Sequence, residues 1–483
     1  MPESGMDRIT PDRRWPLNDT AASRGIERAA AAALPPHTLM QRAGLAVARL
    51  TLALAPGAHR IWIACGPGNN GGDGMEAALH LKQAGREPLI TWAGEPSKAP
   101  ADARASLARA RDAGVTFAQA APQEWDFAID AMLGLGSTRP LEGAMALWSQ
   151  AMSARPADVL AIDLPSGLDS DTGSGNAVRA SHTLCLLTLK PGLFTGHGRD
   201  AAGEVWFDDL GVTGSADAPT AWLSGAPAPA SRLHATHKGS YGDVAVIGGA
   251  PGMTGAALLA ASAALHGGAG RVFVGLLDGG SLSVDTMQPE LMFRAPESLA
   301  LDAMTVACGC GGGDAVRTVL PRVLSTAAQL VLDADALNAI AADTQLQVQL
   351  RARGARNKPS VITPHPLEAA RLLGCSSAQV QGDRLHAARE LAQRFACICV
   401  LKGSGTIIAA PSGAPMVNPT GNALLATAGT GDVLAGLIAA RLAHQPTEVM
   451  EAAASAVYVH GLAADQWPAN HALTASALAR ALQ

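Results

Sequence analysis

Short apolar runs alternate with amphipathic stretches along most of the chain, and this alternation predicts a parallel α/β architecture. In the first half, strands are expected near 60–65, 88–93, 126–130, 158–163 and 183–189. A second series begins at Asp243, with strands expected near 243–248, 271–277, 329–333, 360–363 and 397–410.

Between the two series the alternation lapses into a stretch rich in Gly, Ala, Pro, Ser and Asp, which is the composition of a linker. The 483 residues are too many for one ordinary core, so two or three domains are expected. The pattern predicts one domain over 1–213, a linker over 214–232 and a second domain over 233–483.

Composition narrows the choice of partners and compartment. A net charge of −5 and a pI near 6.2 provide no general attraction to nucleic acid or to an anionic membrane. The amino terminus is too polar for a signal peptide, and 254–270 is a poor membrane span, so a cytoplasmic location is expected. The seven cysteines contain no CxxC pair and are interpreted as buried thiols; the two-residue spacing of Cys308 and Cys310 predicts that they share a sheet face.

A polar, glycine-rich segment follows the first predicted strand of the first half. Gly66, Gly68 and Gly71 satisfy GxGxxG between an expected strand and an expected helix. No acidic residue ends the second strand cleanly, which argues against a standard hydride-transfer Rossmann domain. The additional polar side chains between 69 and 73 indicate a ligand loop.

Two later strands of the first half end in carboxylates. Asp130 and Asp163 each close an apolar run, and Ser166 follows the second. Carboxyl ends of parallel strands meet at one sheet edge, and oxygen ligands without His or Cys suit a main-group cation. Side-chain hydrogen bonds within the loops are the alternative for each of these residues.

Three motifs together resemble the NAD(P)H-hydrate epimerase domain over roughly residues 15–210. They are Gly-Pro-Gly-Asn-Asn-Gly-Gly-Asp-Gly at 66–74, Asp-Ala-x-x-Gly-x-Gly at 130–136 and Asp-x-Pro-Ser-Gly at 163–167. The resemblance implies a Rossmann-like three-layer α/β/α domain and a potassium ion held by Asn70, Asp130 and Ser166. It implies hydrate contacts from two loops and Asp163, namely Asn69, Asn70, Gly71, Gly72, Asp73, Gly134, Leu135, Gly136, Ser137, Thr138, Arg139, Pro140 and Asp163. Asp163 is the carboxylate outside the ion set, and we assign it the proton transfer at the hydrated ring.

In the second half, a glycine turn leads directly into a predicted helix at 426–436. Gly429 and Gly431 permit a sharp turn that exposes helix N–H groups to an anion such as phosphate. Asp432 lies in the first helical turn, where it can remove a hydroxyl proton during phosphoryl transfer. An acidic N-cap after a glycine-rich loop is the alternative.

Further polar groups follow other strands of the second half. Asp333 and Asp335, two apart, are expected on one face, where they suit Mg²⁺, a substrate hydroxyl or helix capping. His365 is held between two prolines, and 402–406 forms a glycine turn suited to an adenosine or its phosphate. The chain contains no GxxxxGK[ST] motif, which excludes a Walker-type ATPase.

These segments resemble the ribokinase-like superfamily across about 233–483, and within it the ADP- or ATP-dependent NAD(P)H-hydrate dehydratases. The matching motifs include Thr-Pro-His-Pro-x-Glu at 363–368, Lys-Gly-x-Gly-Thr at 402–406 and Gly-Thr-Gly-Asp at 429–432. The resemblance implies hydrate contacts at Ala256, Gly311, His365 and Asp432, and nucleotide contacts at Lys402, Gly403, Ser404, Gly405, Thr406 and Gly431. The family usually has Gly-Pro-Gly-Leu-Gly where this chain has Gly-Cys-Gly-Gly-Gly at 309–313.

Both resemblances lead to one metabolite, the hydrated nicotinamide cofactor. The first domain is expected to interconvert R and S hydrates, with K⁺. The second is expected to phosphorylate the S form and eliminate phosphate, with Mg²⁺ and ADP favoured over ATP, and a homo-oligomer is expected. A small-molecule kinase fused to a non-catalytic nucleotide-binding domain is the nearest alternative, and a scaffold or RNA-associated protein is the second. Retention of Asn70, Asp130, Asp163 and Ser166 argues against the scaffold.

Overall fold

A computed structural model of the chain describes residues 5–135, 140–212, 218–228, 234–445 and 447–482. The chain divides into two compact units, one ending at Ala221 and the other beginning at Trp222, with Pro11–Arg14 belonging to the second. The division falls within the segment interpreted as a linker, of which Ala221–Leu223 is a β-strand. The exact domain boundaries stay a prediction.

The first unit alternates strands and helices as the hydrophobic pattern predicts. Its strands are β1 Asp7–Arg8, β2 Trp15–Leu17, β3 Arg60–Cys65, β4 Glu87–Trp92, β5 Thr116–Ala118, β6 Phe127–Ala131, β7 Val159–Ile162, β8 His182–Leu186 and β9 Glu204–Asp208. Its α-helices are α1 Thr20–Ala33, α2 Thr38–Leu54, α3 Asn69–Gln83, α4 Ala101–Asp112, α5 Gly143–Ser153 and α6 Gly198–Ala201.

The sheet of the first unit has the order β1-β9-β8-β7-β6-β3-β4-β5 and is parallel except for β1. The residues of β6 and β7 are all buried, as expected where helices cover both faces of a parallel sheet. The chain moves from β3 outward to β5 and then returns to the other side of β3 at β6. The loops after β3 and β6 therefore diverge and open a crevice at the carboxyl edge, where ligands bind in such sheets.

The second unit is also an α/β structure. Its strands are β10 Ala221–Leu223, β11 Asp243–Gly248, β12 Arg271–Leu276, β13 Met292–Phe293, β14 Thr305–Cys308, β15 Gln329–Leu332, β16 Ser360–Ile362, β17 Ile398–Leu401, β18 Ile407–Ala409 and β19 Met416–Val417. Its α-helices are α7 Thr254–His266, α8 Val316–Thr326, α9 Asp335–Ala342, α10 Thr344–Ala355, α11 Pro366–Leu373, α12 Ser377–Gly382, α13 Arg384–Phe395, α14 Thr430–His444, α15 Val449–Asp465 and α16 Ala475–Ala481.

The sheet of the second unit includes the order β13-β12-β11-β14-β15-β16-β17-β18-β19-β10. The strands from β13 to β17 are parallel, whereas β17, β18 and β19 form consecutive antiparallel pairs. Strand order reverses between β11 and β14, so the loops after these two strands flank the crevice of this sheet.

Helix α14 lies against α7 at close range. A Cβ atom on Gly436 would lie 1.9 Å from the carbonyl oxygen of Ala260, so only glycine permits the observed approach. Most of α14 from Val433 to Leu442 is buried. This packing fixes the amino-terminal turn of α14 within the second unit.

The α/β class with two domains is confirmed. Two local predictions are wrong. Cys310 does not share a strand face with Cys308, because β14 ends at Cys308 and Cys310 lies in the following loop. Asp333 and Asp335 do not share a face either, because β15 ends at Leu332 and Ala334, at φ 48°, turns the chain into α9.

Within the described residues, no helix is both long enough and apolar enough to cross a membrane.

Two candidate active sites

The crevice of the first unit contains a pocket of about 680 Å³. Among the predicted site residues, those that line it are Asn69, Asn70, Asp73, Gly134, Leu135 and Asp163. Gly71, Gly72 and Pro140 do not line the pocket: the two glycines are buried, and Pro140 is exposed. Gly136, Ser137, Thr138 and Arg139 lie outside the described residues.

The segment predicted as a ligand loop is shorter than expected, because α3 begins at Asn69. The glycines in it serve close packing. A Cβ on Gly71 would lie 2.1 Å from the carbonyl oxygen of Gly66, and one on Gly72 would lie 2.7 Å from the Met40 side chain. Asn69, Asn70 and Asp73 are therefore presented from the first turns of a helix.

The three predicted potassium ligands converge on the segment 132–134. The Asp130 carboxylate accepts hydrogen bonds from Ser166 Oγ at 2.6 Å, from Ser166 N–H at 2.8 Å and from Met132 N–H at 3.2 Å. Ser166 Oγ in turn accepts from Leu133 N–H at 2.8 Å. A Cβ on Gly134 would lie 3.1 Å from the amide carbon of Asn70, whose buried Nδ2 has no partner among the described residues.

Asp130 is fully buried, and burial raises its pKa to about 6, although its hydrogen bonds from Ser166 and Met132 oppose this. The hydrogen bonds described for this carboxylate come from neutral donors. Neutral donors do not balance the negative charge of a buried carboxylate, so a cation bound beside it would stabilise that charge.

A buried ion pair occupies the floor of the same pocket. Asp163 follows β7, Lys190 follows β8, and the Lys190 ammonium binds the Asp163 carboxylate. Lys190 also donates to the Leu186 carbonyl at 2.9 Å and is only 2 % exposed. Burial disfavours the charged form of Lys190, but the Asp163 carboxylate and Cys185 together more than offset this and raise the lysine pKa.

Asp73 is a second carboxylate of the pocket. Burial and the negative charge of Asp163 raise the pKa of Asp73 well above its ordinary value, which favours its protonated form. Asp163 adopts a left-handed backbone conformation, with φ 67°, which is uncommon for a residue other than glycine. The pocket thus combines an ion-paired carboxylate with one that favours its proton.

The candidate site of the second unit is built around the start of α14. Gly429, at φ 89°, reverses the chain, and Thr430 Oγ donates to the carbonyls of Leu425 and Thr427 at 2.8 and 2.9 Å. His460 Nε2 lies 2.9 Å from the Thr430 carbonyl. Among the contacts of the described chain, the N–H groups of Gly431 and Asp432 have no acceptor, as expected for an open helix start that can bind an anion.

Asp432 combines an unusual pKa with a charged neighbourhood. Burial, together with the negative charge of Asp333, raises its pKa to about 7, and Cys310 and Lys402 oppose this rise. Lys402 Nζ bonds Asp333 Oδ1 at 2.6 Å, and Thr363 Oγ donates to the same oxygen at 2.7 Å. Lys402 Nζ also lies 3.3 Å from the position of a Cβ on Gly431, so these two predicted nucleotide contacts are adjacent.

The remaining predicted residues lie on neighbouring loops of the same unit. A Cβ on Gly311 would lie 2.8 Å from the Cβ of Ala256, so these two are in contact. His365 caps α11 through Nδ1, which accepts from Leu367 and Glu368 N–H, and burial followed by the charge of Lys402 lowers its pKa.

The turn 402–406 joins β17 to β18, with Gly403 at φ 133° and Gly405 at φ 62°. Arg384, which is 1 % exposed, donates to the carbonyls of Leu401 and Lys402 and supports this turn. Asp335 does not join the Asp333 cluster, because its carboxylate accepts from Gly313 N–H at 2.8 Å.

Sequence reasoning missed Lys190, Arg384 and the proximity of Cys310 to Asp432. In each case the side chain lies close to residues that are distant in the sequence, and its own sequence neighbours are not distinctive. The available signal for Lys190 was a lysine directly after an apolar strand run, at the same sheet edge as Asp163.

Comparison with known proteins gives one family assignment for each half. Residues 244–483 match the family described as NAD(P)H-hydrate dehydratase, and residues 36–192 match the family described as YjeF-related protein N-terminus. Curated relatives span almost the whole chain.

Three relatives are each named bifunctional NAD(P)H-hydrate repair enzyme. The Escherichia coli protein is 36% identical over 89% of this chain and 85% of its own length, and the Moorella thermoacetica protein is 36% identical over 92% of both. The Coxiella burnetii protein is 34% identical over 92% of this chain and 93% of its own length.

Proposed function

The chain belongs to the family of bifunctional NAD(P)H-hydrate repair enzymes, and from this premise we propose how its two units divide the work. The unit assigned to 1–213 epimerises the R and S hydrates of NADH and NADPH. The unit assigned to 233–483 dehydrates the S form at the expense of a nucleotide. The observation that carries the proposal is the ionisable cluster of each crevice, Asp163 with Lys190 in one and Asp432 with Lys402 in the other.

In the epimerase unit, Asp163 carries out the proton transfer at the hydrated ring. Its ion pair with Lys190 supports this role, since the lysine ammonium provides a counter-charge at the carboxylate on the floor of the pocket. Asp73, which favours its proton, is suited to donate it to the C6 oxygen, which leaves as water with the electron pair of the C–O bond while the ring nitrogen forms the iminium ion. Water then adds to the other face of C6, and Asp163 accepts its proton and returns it to Asp73.

A potassium ion is proposed for Asn70, Asp130 and Ser166. The fit is supported by an oxygen-rich donor set and by a fully buried Asp130 carboxylate with neutral hydrogen-bond donors. When bound, the ion supplies positive charge beside the substrate loops. Asp130 and Ser166 hold Met132 and Leu133 in place by accepting hydrogen bonds from their N–H groups.

In the dehydratase unit, Asp432 removes the proton of the C6 hydroxyl group while the hydroxyl oxygen of the hydrate attacks the terminal phosphorus of the nucleotide. The free N–H groups of Gly431 and Asp432, with Lys402, stabilise charge on the transferred phosphoryl group. Phosphate then leaves C6 with the electron pair of the C–O bond, and loss of a proton from C5 restores the double bond. Ala256, Gly311 and His365 contact the hydrate, and the turn 402–406 contacts the nucleotide.

We propose ADP as the preferred phosphoryl donor, with Mg²⁺ entering on the nucleotide. Oδ1 of Asp333 is already bonded by Lys402 and Thr363, which occupies one of the two carboxylate oxygens that Mg²⁺ could use. Asp335 is engaged by Gly313 N–H. The residues of this unit therefore bind and orient the nucleotide, and the ion supplies charge on its phosphates.

The deciding experiment incubates the purified protein with mixed R and S NADH hydrates, K⁺, Mg²⁺ and ADP or ATP. Complete recovery of NADH absorbance with stoichiometric free phosphate is expected, and faster recovery with ADP supports the donor assignment. Recovery of the S fraction alone, beyond the spontaneous epimerisation rate, contradicts the epimerase assignment. Accumulation of a phosphorylated hydrate identifies a kinase instead. Sedimentation of the same preparation tests the proposed homo-oligomer.

A further inference from the structure

Helix α15 places a buried imidazole beside the first turn of α14. His460 is 7 % exposed, and its Nε2 lies 2.9 Å from the carbonyl oxygen of Thr430. A carbonyl oxygen only accepts hydrogen bonds, so Nε2 carries the proton and donates it. Burial lowers the pKa of His460 to about 4, although the hydrogen bond to Thr430 opposes this, so the imidazole is neutral near pH 7.

Hydrogen bonds on both sides of His460 fix α15 against the loop that precedes α14. Thr420 Oγ donates to the Tyr458 carbonyl at 2.9 Å. One turn beyond the histidine, the Asp465 carboxylate accepts from Gly421 N–H at 2.8 Å. The imidazole therefore projects from a helix whose position is fixed on either side of it.

The contact with His460 fixes the direction of a peptide group in the proposed phosphoryl site. The Thr430 carbonyl and the Gly431 N–H belong to one planar trans peptide, so they point in opposite directions. Helix ends fray, and Gly431 places little restraint on rotation of this peptide. The Thr430 side chain is engaged elsewhere, because its Oγ donates to the carbonyls of Leu425 and Thr427. By holding the carbonyl, His460 directs the Gly431 N–H out of the amino end of α14.

We infer that His460 is a positioning residue for phosphoryl transfer, which donates from Nε2 to the Thr430 carbonyl and thereby holds the Gly431 N–H toward the phosphate of the nucleotide. The inference rests on the proposed role of the start of α14 as the phosphoryl-binding turn. The same bond makes the Gly431 N–H a stronger donor, because hydrogen bonds in series polarise one another. Both effects act on the phosphate and not on the adenosine part of the nucleotide.

The test compares His460→Leu, which removes the donor at similar volume, with His460→Gln, whose amide nitrogen can replace Nε2. Calorimetric titration of the full chain should show that His460→Leu binds ADP with Mg²⁺ about five- to tenfold more weakly and binds adenosine as the wild type does. The kcat of S-hydrate dehydration should fall at least about tenfold, since the same N–H stabilises charge in the transition state. The Gln variant should recover most of both losses.

Tyr458→Phe is the matched control on the same helix. It removes the hydrogen bond from the Tyr458 hydroxyl to the Pro11 carbonyl, which does not involve α14. This variant should keep the wild-type affinities and kcat.

Wild-type ADP affinity and kcat in His460→Leu overturn the inference, and so does an equal loss of affinity for ADP and adenosine, which is the mark of general distortion. A measurement on the unaltered protein covers the case in which His460→Leu does not fold. The ¹⁵N spectrum of histidine-labelled protein should contain one imidazole that keeps its proton on Nε2 from about pH 5 to pH 9 and is absent from His460→Gln. A proton on Nδ1 of that imidazole overturns the inference. Failure of the proposed function is distinguishable, because the wild type would then lack S-hydrate dehydration while the ADP-selective loss in His460→Leu remained.

Discussion

Lys190 and Asp163 follow two adjacent parallel strands, β8 and β7, and their charges meet because both strands end at the same sheet edge. The Lys190 side chain is 2 % exposed and the Asp163 side chain 12 % exposed. The effect of the pair on the free energy of unfolding and its effect on epimerisation can therefore be measured separately.

Replacement of Lys190 by methionine should leave a buried carboxylate without its counter-charge. We expect the free energy of unfolding to fall by about 3–5 kcal/mol, with epimerase activity reduced at least about 100-fold and S-hydrate dehydration retained. Urea unfolding and separate assays of the two reactions check this. The double variant with Asp163→Asn should recover stability but not epimerisation, and recovery of epimerisation would contradict the assigned role.

Asp432 should impose a pH dependence on dehydration. Its pKa is raised to about 7, mainly by burial, and a general base works only when ionised. The value of kcat/KM for the S hydrate should therefore rise with pH through about 7 and then level off, while Asp432→Asn should lose at least about 100-fold at every pH. A rate that is flat from pH 5 to pH 8 would exclude Asp432 as the base.

At the residue scale, motif residues could be predicted and their partners could not. Asp163 and Asp432 stand in local patterns that identify them. Lys190 and Arg384 acquire their roles from contacts with residues distant in the sequence, which no local spacing encodes. Thr363 was recognised within a motif, but its hydrogen bond to Asp333 follows from the register of β15 and β16.

At the scale of elements, the paired helices α7 and α14 hold the phosphoryl-binding turn in place. Gly436→Ala would put a Cβ 1.9 Å from the Ala260 carbonyl oxygen and force the helices apart. We expect a loss of about 1–3 kcal/mol in unfolding free energy and a higher KM for the nucleotide.

Gly255→Ala is the matched control for that change. It lies in α7 with open space around its missing Cβ, so the variant should be neutral or more stable by about 0.5–1 kcal/mol. Thermal and urea unfolding of both variants decide the matter. Equal free energies of unfolding for the two variants would show that the close approach of α7 and α14 does not determine stability.

Strands and helices followed largely from hydrophobic periodicity, and the errors occur where an element ends. The alternation expected to place Asp333 and Asp335 on one face stops at Leu332, because Ala334 turns the chain. The polar segment after β3 became helix from Asn69, because its glycines satisfy packing against neighbours rather than a loop conformation. Periodicity describes the interior of an element and says little about its last residue.

At the scale of the whole molecule, each proposed site draws its residues from one unit, at the reversal in strand order of that unit's sheet. The two-domain α/β class followed from the interrupted pattern of strands and helices. The identity of the shared substrate was predicted from the sequence motifs, because the topology alone is compatible with many ligands.

Sites confined to separate units should be separable by single substitutions. Asp130→Asn should abolish K⁺-stimulated epimerisation while leaving dehydration of the S hydrate intact, and Asp432→Asn should do the reverse. With mixed R and S hydrates, the first variant should repair the S fraction and then slow to the spontaneous epimerisation rate. The second should interconvert the hydrates without producing NADH. Mixing the two variants should restore complete repair, because the hydrate can diffuse from one protein to the other. Failure of the mixture, with each remaining activity intact, would mean that the hydrate must be passed within one chain.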